Sequence, residues 1–343
     1  MQFGVRVYIV FSMIFTINNV ISFSLQQRCY FNDCIVFPDS DLFTHLQNKV
    51  EETTTDQSRQ SESKQNEGYC GMHRSKSMNS RIYGGEITTL GEFPWMAILG
   101  YGFTDNVKFM CAGVLISPRL VLTAGHCVTG PALVDSGPLR VVRLGEYNLK
   151  SNPDCLKKKC ALPHQQVKVL KKHPHPNYKS YRREHDIAIV ELEKDIKFTD
   201  YVQPICLPTN VEPKISYGKH YSIAGWGKTQ SALSSDVMLK AEVPLMPNFA
   251  CAKAYGMANV SDLHDGQLCA GGEEGIDSCR GDSGGPLMAK SESSNDDLGP
   301  WYAIGIVSYG ITPCGSIGKP AVYTDVLYYM NWIRSIMSNY DQK

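Results

Sequence analysis

Short apolar runs separated by turn-forming residues fill the chain from Arg81 onward, and this texture constrains the fold more than any other feature. Runs of this kind, rich in β-branched and aromatic residues and bounded by Gly, Pro, Asn and Asp, favour strands. Six of them are VLISPRLVLTAGHC, VVRLGEYN, DIAIVELE, YSIAGWG, YAIGIVSYG and AVYTDV. Helical periodicity is scarce until DVLYYMNWIRSIM, where one apolar face collects Val326, Tyr329, Met330, Ile333 and Met337. The pattern predicts an all-β barrel or sandwich with one terminal helix.

The overall composition narrows the classes of function. The 343 residues suffice for one large domain or two smaller ones, and 34 basic residues balance 34 acidic residues. A chain with zero formal net charge has no global field that favours nucleic acid or an anionic membrane. We therefore expect neither nucleic acid nor a membrane as a partner.

Two N-terminal regions differ in composition from the rest. Residues 1–24 carry an apolar run from Val7 to Phe23 and flanking serines, which predicts a secretory signal peptide. The alternative is a membrane anchor, but the run is interrupted and shorter than a bilayer requires. Residues 25–69 begin with a segment that carries Cys29 and Cys34 and continue as EETTTDQSRQSESKQNEG. That stretch offers nothing for a core and predicts a flexible linker.

Twelve cysteines follow the predicted signal peptide. An even number of cysteines in a secreted chain predicts disulfides formed in an oxidising compartment. Structural zinc is the alternative, but it requires clustered Cys and His at spacings such as C-x-x-C, and the sequence has none. The sequence therefore predicts a secreted, extracellular, disulfide-bonded protein.

The segment DSCRGDSGGP, Asp277–Pro286, carries the strongest chemical signal in the chain. Ser283 is surrounded by Gly281, Gly284 and Gly285, which let the backbone turn sharply and approach a ligand closely. Taken alone, such a segment is also compatible with a glycine-rich surface turn. A serine hydroxyl becomes a good nucleophile only with a base beside it, and the base needs a group that fixes its tautomer.

Two other segments offer those partners. In TAGHC, His126 follows the apolar run VLISPRLVL, and in HDIAIVEL, Asp186 stands at the head of an apolar strand. Singly, the first is compatible with a core histidine and the second with a strand-end cap. The order of His126, Asp186 and Ser283 along one chain, each in this local setting, favours a catalytic triad instead.

The motifs TAGHC, DIAIV and GDSGGP, together with IYGG upstream, resemble the trypsin/chymotrypsin family of serine proteases. The resemblance runs from Arg81 to the C-terminal helix. It implies two six-stranded antiparallel β-barrels with a C-terminal helix and an active site in the cleft between the barrels. It also implies that His126 is the general base, Asp186 its orienting partner and Ser283 the nucleophile. The N–H groups of Gly281 and Ser283 would form the oxyanion hole.

The resemblance further assigns residues 70–81 to an activation segment and residues 82–343 to the protease domain. Cleavage after Arg81 would create a new ammonium at Ile82, which would insert and pair with Asp282. A buried carboxylate beside the nucleophile needs such a cation, because an unpaired buried charge is costly. Taken alone, RIYGG is also compatible with a strand that starts after a loop.

Substrate choice follows from the position that matches the base of the family's specificity pocket. Asp277 would pair with a cationic side chain and disfavour neutral ones, which implies cleavage after Lys or Arg. Ser308, Tyr309 and Gly310 match the strand that pairs with the substrate backbone. Ala321 stands where the family usually has glycine on the opposite wall, so its methyl group is expected to narrow the pocket.

The resemblance also assigns disulfides. Cys70 would pair with Cys206 and keep the cleaved N-terminal piece attached to the protease domain. The remaining implied pairs are Cys111–Cys127, Cys155–Cys160, Cys251–Cys269 and Cys279–Cys314, with Cys29–Cys34 in the N-terminal segment.

The loop EYNLKSNPDCLKKKC resembles the clip-domain serine proteases of arthropods, including the easter-like and prophenoloxidase-activating groups. In that subgroup the loop implies a structural calcium ion, here with the carboxylates of Glu146 and Asp154 and the backbone carbonyl of Asn148. No cofactor is required for the catalytic chemistry. The alternative is a solvated loop closed by a local disulfide, since LKKKC adds three lysines that oppose a cation.

The N-terminal region departs from the clip pattern. A clip domain carries six cysteines, whereas residues 25–69 offer only two, so we interpret RCYFNDCIVF as the start of a truncated, degenerate clip. Asn259 opens an N-V-S sequon, which predicts glycosylation on a surface loop.

Together these features predict a secreted serine endopeptidase made as a zymogen that cleaves after Arg or Lys in an extracellular proteolytic cascade of innate immunity, melanisation or venom. Expected partners are zymogen or other protein substrates, an upstream activating protease and serpin-type inhibitors. One alternative is a non-catalytic protease homologue acting as a cofactor, which the presence of all three triad residues disfavours. The other is a digestive trypsin, which the charged linker and the Cys70 tether disfavour.

Overall fold

A computed structural model describes residues 13–16, 19–22, 70–72, 85–104, 106–130, 132–229, 232–257, 259, 263–291 and 299–341. The chain divides into two units, Met1–Asn66 and Glu67–Lys343. In the first unit, strands β1 (Met13–Thr16) and β2 (Asn19–Ser22) pair as an antiparallel hairpin. The predicted Cys29–Cys34 pair, the linker and the Arg81–Ile82 bond lie outside the described residues.

Fifteen strands and four helices are described in the second unit. The strands are β3 (Glu86–Ile87), β4 (Met96–Tyr101), β5 (Lys108–Leu115), β6 (Leu120–Thr123), β7 (Leu139–Leu144), β8 (Cys155–Leu156), β9 (Lys159–Cys160), β10 (Gln165–Pro174), β11 (Ala188–Leu192), β12 (His220–Gly225), β13 (Leu239–Met246), β14 (Gln267–Gly271), β15 (Pro286–Lys290), β16 (Trp301–Tyr309) and β17 (Pro320–Asp325). The helices are α1 (Gly125–Val128), α2 (Ala132–Ser136), α3 (Asn248–Ala254) and α4 (Met330–Asp341).

Six strands close into the first barrel in the order β10-β11-β6-β5-β4-β7, with every neighbouring pair antiparallel. Strands β6 and β11 are buried along their whole length, which explains why their sequences are continuous apolar runs rather than alternating ones. Closure leaves no free sheet edge and gives the barrel a core of its own side chains.

The second barrel has the order β12-β15-β16-β17-β14-β13 and is closed by the pairing of β12 with β13, while β3 adds to β13 at its outer edge. All of its pairs are antiparallel. The predicted fold class, two six-stranded antiparallel barrels, is therefore confirmed.

The C-terminal helix is confirmed, but it begins later than its apolar pattern suggested. Val326 and Tyr329 lie in a tight turn before α4, because the carboxylate of Asp325 accepts the N–H of Leu327 at 2.9 Å and caps that turn. The buried face nevertheless includes Val326, Tyr329 and Ile333, and it packs into the same core as the first barrel. No helix in the described part of the chain is both long and apolar enough to cross a bilayer.

Candidate active site

Asp186 lies at the entrance to β11 with its side chain 0% exposed. Its Oδ2 atom accepts hydrogen bonds from Nδ1 of His126 at 2.8 Å and from Oγ of Ser308 at 2.5 Å. Its Oδ1 atom accepts the backbone N–H of His126 at 2.8 Å. Burial by itself raises the pKa of Asp186, but the charge of His126 and these hydrogen bonds outweigh it and bring the pKa below its usual value. The carboxylate is therefore held ionised.

His126 lies on the one-turn helix α1, directly after β6. Its ring and its two neighbours in the chain, Gly125 and Cys127, are each held by a specific contact. Its ring faces Asp186, while its neighbour Cys127 forms a disulfide with Cys111 on β5. Gly125 leaves room on the other side, since a Cβ atom there would lie 3.2 Å from Oδ1 of Asp186. An imidazole that donates from Nδ1 to a carboxylate presents its Nε2 atom as a base.

Ser283 is held against the loop that carries His126. Its carbonyl oxygen accepts the N–H of Ala112, the residue after Cys111, at 2.8 Å. The next residue, Gly284, has a φ of 80°, and a Cβ atom there would lie 2.2 Å from Oγ1 of Thr123. Only glycine permits this approach. The glycine-rich turn of the second barrel is thus packed directly on the β6–α1 corner of the first barrel.

The predicted oxyanion donors also lie in this turn. Gly281 has a φ of 106°, and a Cβ atom there would lie 2.8 Å from the Cα atom of Gly227. Neither the N–H of Gly281 nor that of Ser283 donates a hydrogen bond within the described part of the chain. Backbone N–H groups without an intramolecular acceptor are the kind of donor that stabilises a tetrahedral oxyanion, so the oxyanion hole stays a prediction that these two groups allow.

Asp282 points away from the cleft into a cradle of backbone. Its two oxygens accept the N–H of Gly227 at 2.9 Å and the N–H of Cys279 at 3.0 Å. Burial raises the pKa of Asp282 to about 6, with these two hydrogen bonds opposing the effect. No cationic side chain of the described residues pairs with this carboxylate. The predicted partner, the ammonium of Ile82, lies outside the described residues.

Asp277 lies beneath the turn with one oxygen unsatisfied. Its Oδ2 atom accepts the N–H of Gly315 at 3.3 Å, while its Oδ1 atom is buried and has no hydrogen-bond partner among the described residues. Burial raises the pKa of Asp277 to about 6, opposed by the backbone N–H groups of Gly315 and Ser278. A buried carboxylate oxygen without a donor is uncommon in folded proteins.

Three residues predicted to line the pocket lie near Asp277 along the fold. The disulfide Cys279–Cys314 joins the segment after Asp277 to the segment that carries Gly315. Ala321 is 1% exposed, and its Cβ atom lies 3.5 Å from the point where a Cβ atom on Gly310 would stand. The methyl group of Ala321 therefore faces Gly310, and its effect on the pocket stays a prediction.

The part of the chain that forms the two barrels matches known proteins. The family model for trypsin matches residues 82–333. The chain belongs to the trypsin family.

Relatives of this trypsin-family chain include CLIP domain-containing serine protease HP8 of Bombyx mori, 44% identical over 79% of this chain and 72% of that protein. Phenoloxidase-activating enzyme 1 of Spodoptera litura is 41% identical over 79% of this chain and 70% of that protein. The crystal structure of the drosophila Grass clip serine protease of the Toll pathway superposes with a TM-score of 0.66 at 38% identity, covering 78% of this chain and 74% of that chain. The resemblance to clip-domain serine proteases is confirmed.

Two serines of this trypsin-family site make contacts that the sequence did not indicate. Ser308 was expected to contact the substrate backbone, yet its hydroxyl also donates to Asp186 from 122 residues away in the chain. Ser278, buried beside Asp277, accepts a hydrogen bond from the hydroxyl of Tyr323 at 3.2 Å and forms part of the pocket floor. Its position directly after Asp277 was the available signal.

Five predicted disulfides are present among the described residues: Cys70–Cys206, Cys111–Cys127, Cys155–Cys160, Cys251–Cys269 and Cys279–Cys314. The Cys70 segment is also held by backbone, since Gly71 donates to the carbonyl of Pro204 at 2.8 Å and accepts the N–H of Trp301 at 3.0 Å. Residues 70–72, on the N-terminal side of Arg81, are therefore attached to the protease domain by a covalent bond and by hydrogen bonds.

In the candidate calcium loop two buried carboxylates converge, and each already accepts protein donors: Glu146 from Arg143 at 2.9 Å and Asp154 from Oγ of Ser151 at 2.5 Å. Glu146 and Asp154 are both buried, and both accept the N–H of Tyr147, at 3.1 Å and 2.8 Å respectively. Burial raises the pKa of Glu146 to about 7, and the negative charge of Asp154 raises it further while Arg143 lowers it. Two converging buried carboxylates need positive charge nearby. Arg143, 2.9 Å from Glu146, supplies part of it.

The carbonyl of Asn148 accepts the N–H of Ser151 at 2.9 Å, which leaves its second lone pair for a metal. The three lysines Lys157–Lys159 are exposed on the hairpin of β8 and β9. Lys159 lies over the ring of Tyr201 at 5.9 Å, and none of the three lysines pairs with Glu146 or Asp154 among the described residues.

Asn259, the predicted glycosylation site, is exposed.

Proposed function

We propose that this trypsin-family chain is a secreted serine endopeptidase, made as a zymogen and activated by cleavage after Arg81, that hydrolyses peptide bonds after Arg or Lys in an extracellular cascade. One observation carries the proposal: Oδ1 of Asp277 is buried without a hydrogen-bond partner among the described residues, in a chain that also holds the His126–Asp186 pair. An Arg or Lys side chain would supply the donor that Asp277 lacks.

Membership of the trypsin family and the His126–Asp186 hydrogen bond support the following mechanism. His126 takes the proton of the Ser283 hydroxyl as the serine oxygen attacks the scissile carbonyl, and later gives it to the leaving amine. Asp186 keeps Nδ1 of His126 protonated and stabilises the imidazolium that forms. The N–H groups of Gly281 and Ser283 stabilise the oxyanion. Water then repeats the attack on the acyl-enzyme.

Activation would proceed through Asp282. A new ammonium at Ile82 would pair with Asp282, a buried carboxylate that accepts only backbone N–H groups among the described residues. The pair would so fix the turn that carries Gly281 and Ser283. The disulfide between Cys70 and Cys206 would keep the N-terminal piece attached, giving a two-chain enzyme. Residues 1–24 would be the signal peptide and residues 25–69 a degenerate clip and linker.

Cascade membership rests on the relatives. One relative is by name a phenoloxidase-activating enzyme, and another is a clip serine protease of the Toll pathway. By analogy with these relatives, we infer three kinds of partner for this chain: a protein or zymogen substrate, an upstream activating protease and serpin-type inhibitors. A digestive trypsin has no need of the Cys70 tether, and a non-catalytic homologue has no need of a preserved triad.

The test uses the purified full chain, cleaved after Arg81, and peptide amides with Arg, Lys or Phe before the scissile bond. We expect cleavage of the Arg and Lys substrates only, appearing after cleavage at Arg81 and absent in the Ser283→Ala variant. Equal turnover of Phe substrates would contradict the specificity, and activity in Ser283→Ala would contradict the mechanism.

Structural calcium at Glu146, Asn148 and Asp154 is a separate part of the proposal. The ion would neutralise the two buried carboxylates and brace the loop between β7 and β10. We expect calcium to raise the melting temperature of the wild-type protein in buffer cleared with chelator, and to have no effect on Asp154→Asn. An equal increase in melting temperature in the variant would mean that calcium binds elsewhere. No increase in the wild type would contradict the proposal of a calcium site.

A further inference from the structure

Cations are concentrated in one stretch of a chain whose formal net charge is zero. Residues 155–183 contain seven lysines and two arginines, and neither Asp nor Glu. The last three of these cations form ion pairs with Glu184 and Asp186, which follow in the chain. The other six, here called the basic face, are Lys157, Lys158, Lys159, Lys168, Lys171 and Lys172.

The charges of the basic face are not balanced within the described part of the chain. All six lysines are exposed, and none forms an ion pair among the described residues. Lys171 lies opposite Glu191 in the register of β10 and β11. Glu191 is only 5% exposed, and its Oε2 atom accepts the hydroxyl of Tyr340 at 2.5 Å and lies 3.4 Å from Nε2 of His173. This carboxylate therefore has other partners and does not neutralise Lys171.

A β-bulge in β10 enlarges the exposed surface of that strand. Between Val169 and Lys171 the register against β11 is irregular. In a regular strand successive side chains alternate between the two faces of the sheet. Here Leu170, Lys171 and Lys172 are exposed in succession. A bulge re-aims side chains and is a specified feature of a strand rather than a defect.

Two large apolar side chains are exposed among these lysines. Leu170 on β10 is 58% exposed. Leu162, which is 61% exposed, lies in the short connection between β9 and β10. Removing such apolar surface from water on contact with a partner is favourable. The basic face therefore offers apolar contact as well as positive charge.

This combination favours one class of partner. A sulfated polysaccharide would balance the lysines, but it has no apolar side chains to cover the two leucines. An acidic polypeptide segment offers both carboxylates and apolar side chains. Lys168 and Lys172 are about 13 Å apart along an extended strand, so carboxylates spread along a peptide match them better than one small anion does.

We propose that the basic face, with Leu162 and Leu170, is a docking surface for an acidic, leucine-containing segment of a partner protein. Clustered like charges on a chain of zero net charge create a local positive potential that attracts such a segment and orients it. No residue of this surface belongs to the triad or to the pocket of Asp277. Docking there therefore requires neither cleavage after Arg81 nor catalysis.

The test measures binding to the purified, uncleaved full chain by fluorescence anisotropy. The probe is a labelled peptide as long as β10, ten residues, composed of Asp, Glu and Leu with a soluble spacer. One matched peptide has Ser in place of Leu, and another has Asn and Gln in place of the acids. We expect the leucine peptide to bind about threefold to fivefold more tightly than the serine peptide, because it covers apolar surface. The neutral peptide should not bind, and sodium chloride at about 0.5 M should weaken binding of both acidic peptides.

Variants locate the binding site. Lys171→Gln/Lys172→Gln should weaken binding of the acidic peptides about fivefold, because each exposed ion pair contributes modestly. Leu162→Ser/Leu170→Ser should abolish the difference between the leucine and serine peptides. The matched control is Lys214→Gln/Lys253→Gln, which removes two exposed lysines elsewhere on the chain and should leave the affinity unchanged.

No binding of the leucine peptide at low salt, or an equal loss in the control variant, overturns the inference. Heparin that binds through Lys171 and Lys172, together with equal affinity for the leucine and serine peptides, also overturns it, because the surface would then recognise charge alone. After cleavage at Arg81, Lys171→Gln/Lys172→Gln should keep the wild-type kcat/KM on small Arg peptide amides. A cleaved wild type inactive on every amide contradicts the proposed function and leaves the binding result unchanged, so the two failures are distinguishable.

Discussion

In the first barrel, the carboxylate of Asp186 receives three hydrogen bonds from His126 and Ser308, and its pKa lies below the usual value. In the second barrel, Asp277 and Asp282 receive donors from backbone N–H groups, and burial raises the pKa of each to about 6. All three carboxylates belong to one cleft and its supporting turn. They differ in whether the described chain itself supplies the balancing positive partner.

This difference divides the site into two halves. The half that carries Asp186 has its positive partner within the described chain, and the half that carries Asp277 and Asp282, here called the conditional half, does not. The first barrel supplies the histidine that pairs with its acid, and Ser308 on β16 of the second barrel adds one neutral hydrogen bond. The second barrel leaves two acids short of a cation, which fits a turn that is fixed by the new ammonium of Ile82 and a pocket that is filled by a substrate side chain. Activation and specificity would then both depend on a cation that pairs with a buried aspartate. The aspartate is Asp282 in activation and Asp277 in substrate binding.

The largest effect is expected for Asp186→Asn. The amide cannot hold Nδ1 of His126 in the donating tautomer, so kcat/KM of the cleaved protein should fall by about 10⁴-fold while the fold is kept. Peptide amide kinetics measure the loss, and circular dichroism checks the fold. A loss of less than about tenfold would mean that Asp186 does not orient the base.

Asp277→Asn is expected to have the second-largest effect, and one confined to cationic substrates. Removing the charge should lower kcat/KM for Arg peptides by about 10³-fold, since a desolvated ion pair is broken, with little change for Phe peptides. The ratio of the two rate constants is the measurement. Equal losses on both peptides would assign Asp277 a structural role rather than a selective one.

The pH dependence of stability should have opposite signs in the two barrels. Asp282 has a pKa of about 6 in the folded chain against 3.8 ordinarily, so the folded state binds its proton more tightly. Its contribution to the free energy of unfolding is full below about pH 4 and is lost as pH rises through about 6. The lowered pKa of Asp186 gives the reverse, with a contribution lost as pH falls below about 4.

Urea unfolding of the uncleaved chain at about pH 4 and about pH 7 measures this contrast. In wild type we expect Asp282 to contribute a decrease of about 1–2 kcal/mol over that interval, and Asp282→Asn to remove this part. Asp186→Asn should leave the decrease in place. If the two variants change the pH profile alike, the contrast between the barrels is wrong.

The smallest effect is expected for Ala321→Gly, which widens the pocket wall opposite Gly310. Removing the methyl group should raise kcat/KM for Arg peptides by roughly threefold to tenfold and for Lys peptides by less, because the guanidinium is the wider group. A larger gain for Lys would show that the methyl group does not restrict the pocket.

The residue pattern predicted an all-β barrel or sandwich and a candidate triad because these signals are local, and the resemblance to the trypsin family supplied the two six-stranded barrels. Buried strands such as β6 and β11 appear as apolar runs, and His126, Asp186 and Ser283 each lie in a short motif. Contacts between distant segments left no local signal. The hydroxyl of Ser308 reaches Asp186 across 122 residues, and the left-handed backbone of Arg183 depends on Gln267 from the other barrel. The tight turn before α4 depends on a hydrogen bond to the side chain of Asp325, which the periodicity of apolar residues does not predict.

The most direct test of the conditional second barrel is a burst titration of Ser283 with a guanidinobenzoate ester, which carries an arginine-like group. We expect the chain cleaved after Arg81 to release about one product molecule per protein in the burst, because each active Ser283 is acylated once. The uncleaved chain, Ser283→Ala and cleaved Asp282→Asn should release almost none. A full burst from the uncleaved chain would contradict the account, because the turn would then be complete without the new ammonium.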